Sequence, residues 1–164
     1  MNTVIKSDFI QIRVSKQEKQ IIKSSAQLAG VDMSAWILQR VLHNDAKTFI
    51  LILNKFETEE QSFVFAELHD FLNRLNITNF ELALHLKPTV SLSDFHINYV
   101  IAMIVFRANQ LNASIPNWIH DYPVLQQPYF GSDLKSLRLY LLINSPIEFK
   151  QRNIFIDSSI GDRV

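Results

Sequence analysis

The sequence predicts a mainly α-helical protein, and three observations carry that prediction. Only 3 Gly and 5 Pro occur in 164 residues, too few turn-formers for an all-β sandwich or barrel. Capping signals led by Ser, Thr or Asp are repeatedly followed by apolar residues at helical spacing. Twelve Phe supply large apolar groups suited to helices packing face to face. With 48% hydrophobic and 20% charged residues, the chain has the material for a packed core and does not have the composition of a disordered one. The lack of Cys excludes disulfides, thiol nucleophiles and Cys-ligated zinc, and it fits a reducing compartment. The longest apolar run, Tyr99–Phe106, is eight residues, against the roughly 20 that span a bilayer. The opening Met1–Lys6 lacks the apolar stretch of a secretory signal. The expectation is a soluble, cytoplasmic protein with no membrane partner.

The N-terminal elements follow in order. Phe9–Ser15 alternates in period two, with Ile10, Ile12 and Val14 on one side and Phe9, Gln11 and Arg13 on the other. Ser15-Lys16-Gln17-Glu18 has the spacing of a capping box. It opens a first helix whose apolar or small residues recur at Ile21, Ile22, Ser25, Leu28 and Ala29. Gly30 stands where a left-handed C-terminal cap belongs. A second helix is capped by Asp32 or Ser34, with Met33, Trp36, Ile37, Val41 and Leu42 on its apolar side.

One strand and two helices are physically incomplete as a monomer, because a lone strand leaves its amides and carbonyls unpaired along both edges. The simplest remedy is a homodimer whose strands pair antiparallel, with Ile10, Ile12, Val14, Ile22, Leu28, Trp36, Ile37 and Val41 forming a shared core. The opposite face then presents Phe9, Gln11 and Arg13 twice on a ribbon that fits the DNA major groove, where Gln reads adenine and Arg reads guanine. Residues 1–44 also hold six Lys/Arg (Lys6, Arg13, Lys16, Lys19, Lys23, Arg40) against three acids (Asp8, Glu18, Asp32), whereas the rest of this electrically neutral chain is acidic.

The stretch Asp8–Leu42 resembles the ribbon-helix-helix family of bacterial repressors and antitoxins. The resemblance rests on the I-x-I-R-V-S strand, the S-x-x-E helix start, the A-x-x-x-G turn and the D-x-S-x-W-I opening of helix two. It implies that Gln11, Arg13 and Phe9 meet base edges. It also implies that the start of helix two, at Met33 and Ser34, offers backbone amides to a phosphate, with Lys6 and Lys16 nearby. Asp32 departs from this pattern, since a carboxylate at that cap favours the helix but repels a phosphate.

A domain boundary is expected at 46/47, marked by His43-Asn44-Asp45 and the change in charge, giving domains 1–46 and 47–164. The second is expected to be all-helical. Thr48–Phe56 reads as helix in preference to strand. Thr58-Glu59-Glu60-Gln61 and Thr78-Asn79-Phe80-Glu81 each read as a helix start, and Pro88 ends the latter helix. Ser93-Asp94 opens a helix to about Leu111 that is apolar on every side between Tyr99 and Phe106. Pro116 suits the start of a short helix carrying Trp118 and Ile119. Ser132 or Asp133 caps a helix through Leu142, Ser145-Pro146 begins a last turn, and Arg152–Asp157 is extended. The segment Leu134–Val164, with Leu137-Arg138, Ser145-Pro146 and Phe149-x-x-Arg152-Asn153, is similar to C-terminal regions of bacterial proteins encoded beside nucleotidyltransferase-like toxins. Arg138, Arg152 and Asn153 are thereby candidate partner-binding residues. The plainer reading is that they pin the tail by hydrogen bonds to buried carbonyls.

Catalytic patterns are missing. There is no Gly-rich phosphate loop and no H-E-x-x-H, and the five His (43, 69, 85, 96, 120) have no i, i+4 pairing for a metal. An enzyme would have to draw on Arg138, Arg152, His69 and Glu67. No cofactor, no metal and no enzymatic activity are expected. The sequence reads as a homodimeric regulator that binds operator DNA. The resemblance points to an autoregulating antitoxin whose C-terminal domain holds a protein toxin, and an effector-controlled repressor is the alternative.

Overall fold

The computed structural model describes residues 11–41 and 44–157, which fall in two compact units, Met1–Leu42 and His43–Val164. Each is taken by itself.

In the first unit, α1 (Lys16–Leu28) begins at the capping box that the sequence announces. The Ser15 amide donates to Glu18 Oε2 at 2.7 Å, and the Glu18 amide donates to Ser15 Oγ at 3.2 Å. The helix ends in a Schellman turn: Gly30 N–H donates to Gln27 O and Val31 N–H to Ala26 O, both at 3.1 Å. Gly30 takes φ +67°, so the left-handed cap falls where the sequence places it. In α2 (Met33–Val41), Asp32 Oδ1 accepts from the Ala35 amide at 2.8 Å, which makes Asp32 the cap. The expected strand is not seen among the described residues. Gln11–Val14 lie in no regular element and are exposed, and Phe9 and Ile10 fall outside the described residues. The physical reason lies in pairing, since a strand is held by a neighbouring strand and the described residues of this unit offer no second one.

In the second unit, α3 (Asn44–Asn54) leads through a 3-10 turn at Lys55–Glu57 into α4 (Gln61–Arg74), α5 (Ile77–Leu84) and α6 (Asp94–Leu111). A further 3-10 turn at Asn117–Asp121 precedes β1 (Tyr129–Phe130), a third lies at Lys135–Leu137, and α7 (Arg138–Asn144), α8 (Ile147–Lys150) and β2 (Ile154–Phe155) complete the order. The core gathers around α6, whose Val100, Ile101, Ala102 and Ile104 are wholly buried against Phe49, Phe71, Phe80, Leu68 and Leu84. Ser93 Oγ accepts from the His96 amide at 3.1 Å, as the sequence implies. Arg107 closes the far end of α4 by donating to the carbonyls of Leu72, Asn73 and Leu75.

Four expectations are corrected here. The C-terminal part is not all-helical, because β1 and β2 pair in parallel, with Tyr129 opposite Ile154 and Phe130 opposite Phe155. Strands of two residues are too short to leave an alternating pattern. Thr58 does not cap α4: its amide donates to Lys55 O at 3.0 Å, which closes the 3-10 turn, and Glu60 occupies the cap without a side-chain bond to the helix's amides. The start of α5 falls at Asn76, whose side chain accepts from the Thr78 and Asn79 amides while Asn79 Oδ1 accepts from Asn76 N–H. Finally, Ser132 Oγ accepts from Leu134 N–H at 3.3 Å in a local turn, and the helix there begins only at Arg138.

Candidate nucleic-acid interface

The alternation in the first unit has a structural counterpart. Ile12 and Val14 line an apolar hollow of about 420 Å³ together with Ile22, Met33, Trp36, Ile37 and the stem of Lys19. Gln11 and Arg13, at the intervening positions, are exposed and take no part in its wall. The hollow is open, with Ile12 57% and Val14 44% exposed, so the apolar residues of this segment are gathered to one side but not covered.

Of the expected dimer core, Ile12, Val14, Ile22, Trp36 and Ile37 are thus brought together. Leu28 is not, since it sits on the last turn of α1 at 91% exposure. Ile10 and the side chain of Val41 lie outside the described residues. Lys19 is the addition that sequence reasoning missed. It is not part of the apolar spacing of α1, yet the four-carbon stem of a lysine can lie along apolar surface while the ammonium stays in water.

Among the expected base-reading residues, Gln11 and Arg13 are exposed and Phe9 lies outside the described residues. Lys16 is exposed at the first position of α1, and Lys6 again lies outside. At the start of α2, Ser34 is exposed, and Met33 turns its side chain into the hollow, which leaves only its backbone to meet a phosphate. The Asp32 carboxylate already accepts the Ala35 amide, so one donor of that helix end is occupied and a negative charge stands beside the others. Glu18 is a second acid fixed near the segment. The Ser15 amide, and then its hydroxyl, hold the Glu18 carboxyl below the usual range.

The C-terminal candidates do not form a cluster of available groups. Arg152 donates through Nη1 to Tyr122 O at 3.0 Å and through Nη2 to Ile119 O at 3.2 Å, and Asn153 Nδ2 donates to Leu125 O at 3.0 Å. Both side chains therefore pin the 119–125 loop to the tail. The Arg138 guanidinium lies 4.9 Å from the centre of the Phe130 ring. Among the enzyme candidates, Glu67 pairs with Lys55 at 2.5 Å, and His69 stands 3.9 Å from Asp70 with Asn73 at 3.2 Å from its ring. Among the described residues no group of three His, Asp or Glu is placed to hold a metal ion, and no helix is long and apolar enough to cross a membrane.

No curated protein and no solved structure matches the chain. A family model does match over part of it, reaching from the N-terminal unit through α4 and stopping well before residues 134–164. Residues 5–76 match the model described as NikA-like, mobilization protein NikA, a ribbon-helix-helix DNA-binding type.

Proposed function

We propose that this protein is a homodimeric, sequence-specific DNA-binding regulator of ribbon-helix-helix type. Two copies pair their segments around residues 9–14, each covers the other's hollow, and Gln11 and Arg13 face the major groove. The observation that carries the reading is the sidedness of the short N-terminal segment. Ile12 and Val14 stand on the wall of an open apolar hollow while Gln11 and Arg13 are free of it. Lys16, with Lys6, supplies positive charge to the backbone. The start of α2 contributes less, because Asp32 caps it.

The test is a duplex DNA selection from a random library, run beside a mobility shift on the DNA upstream of the protein's own gene. A preferred sequence with two-fold symmetry is expected, with affinity falling steeply as salt rises. Arg13→Ala costs about 1–3 kcal/mol on the preferred site, and Gln11→Ala relaxes the preference at its base pair. Equal binding by both variants and wild type removes the ribbon from the reading. The family description names mobilization proteins, which favours a role on mobilised DNA over toxin neutralisation.

The antitoxin role is a second reading, favoured by one feature of the C-terminal unit. Leu134, Leu139, Ile143 and Ile147 are exposed within 134–147, a stretch with Lys135 and Arg138 and no acid. An apolar partner with an acidic rim fits it. Co-expression with the product of an adjacent reading frame tests this: Leu139→Asp with Ile143→Asp breaks a complex formed there and leaves DNA binding intact.

A further inference from the structure

The C-terminal unit contains a hollow of about 290 Å³ that the DNA-binding reading does not use. It lies between α4 and α6, with Phe65, Tyr99, Met103 and Phe106 on its walls and Phe149 of α8 and Ile156 closing it. Ala66, exposed on α4, also lines it and so marks its mouth.

Voids in protein interiors are rarely larger than a water molecule. This one has room for about ten at liquid density, and a held water needs two to four polar partners. In a mostly apolar lining, Ser62, His69, Asn73, Arg107 and Asp157 are, beside Tyr99, the polar side chains. Arg107 and Asp157 bring one charge of each sign, Asn73 is hydrogen-bonded to the His69 ring, and the Arg107 guanidinium is turned onto the carbonyls that end α4. Water in such a space is poorly held and is favourably displaced by apolar atoms.

A second feature is independent of the volume. Tyr99 is only 8% exposed; its hydroxyl bonds to no described residue and is not among the wholly buried unpartnered atoms, so solvent reaches it. Its ring is held between Phe65 and Phe149, with centroids at 4.1 and 5.2 Å. Burial pushes the phenol up to about 12, so it remains a neutral donor throughout the physiological range. A bound acceptor takes the place of water at that hydroxyl in largely apolar surroundings, where a hydrogen bond is stronger than in water.

We infer that this hollow is a binding site for a small, uncharged aromatic molecule carrying a hydrogen-bond acceptor. The ligand is of bicyclic size, its rings lie among Phe65, Tyr99, Phe106 and Phe149, and its acceptor takes the Tyr99 hydroxyl. The site stands on the C-terminal unit alone and does not depend on the DNA-binding reading.

The test uses the full chain and prodan, an uncharged naphthalene ketone whose emission shifts to the blue in apolar surroundings. Saturable, one-per-chain binding is expected. Ala66→Trp, which fills the mouth from an exposed position, weakens it at least tenfold while the melting temperature holds. Tyr99→Phe keeps the ring and removes the donor, weakening binding by roughly 3- to 10-fold and moving the bound emission further to the blue. Ile22→Ser, in the N-terminal hollow, leaves prodan binding unchanged. No saturable binding, or binding kept by Ala66→Trp and lost in Ile22→Ser, overturns the assignment. Mobility shifts on the same samples report DNA binding separately.

Discussion

Gly30 isolates a backbone effect from a packing effect. Its φ of +67° belongs to the left-handed region, and nothing lies within 4 Å of the position a Cβ would take. Gly30→Ala therefore meets no clash, and its cost is the left-handed conformation itself, about 1 kcal/mol. Gly30→Asn, which tolerates that region better, costs less. Urea denaturation of the two variants orders them; an Ala variant as stable as wild type means that the Schellman turn does not hold in solution. The Asp32 carboxylate two residues on is the converse case, a side chain that serves the helix by accepting the Ala35 amide while setting a negative charge at the helix start, where an anion is otherwise favoured.

At the scale of elements, two helix starts separate what a template recognises from what a chain does. Asn76 and Asn79 exchange hydrogen bonds across the first turn of α5, and Asn79 Nδ2 reaches Asp45 on α3 at 3.2 Å. Asn76→Ala is expected to cost about 1 kcal/mol, whereas Thr58→Ala, which caps no α-helix and keeps the backbone amide that closes the 3-10 turn, costs under about 0.5 kcal/mol. Thermal melts compare the pair directly, and the reverse order contradicts the cap assignment. The Ser15 start, the Gly30 stop, the Ser93 start and the burial of α6 from Ile97 to Ile104 were legible because each is a local signal or a long apolar run. The Asn76 cap escaped because Asn-x-x-Asn differs from the Ser/Thr-x-x-Glu pattern, and Thr58 misled because the chain had not yet left the 3-10 turn. The β1–β2 pair joins segments far apart in sequence, each too short for a period to show. The same limit hid the 290 Å³ hollow, whose walls come from α4, α6, α8 and the residue after β2. The sidedness of Ile12 and Val14 was legible, because period two needs no knowledge of distant residues.

At the scale of the molecule, the two units differ in how far each accounts for its own stability. The second has a continuous core from Phe49 to Ile156. In the first, Ala26 is the one buried hydrophobic residue among the described residues, and the apolar hollow lined by Ile12, Val14 and Ile22 stays open. In the proposed dimer such a unit gains most of its burial from a partner copy, and its unfolding is then coupled to dissociation and depends on protein concentration. Calorimetry is expected to resolve two transitions. The lower one rises with protein concentration, and the upper one, from the second unit, stays fixed. Ile12→Asp places a carboxylate in the hollow, where burial without a partner is strongly unfavourable. It should yield monomers in sedimentation, remove the lower transition and abolish DNA binding, leaving the upper transition where it was. Adding the preferred duplex raises only the lower transition in wild type and has no effect on the Ile12→Asp variant. A lower transition that ignores concentration means that the first unit completes its core within one chain, and the ribbon then has no reason to form.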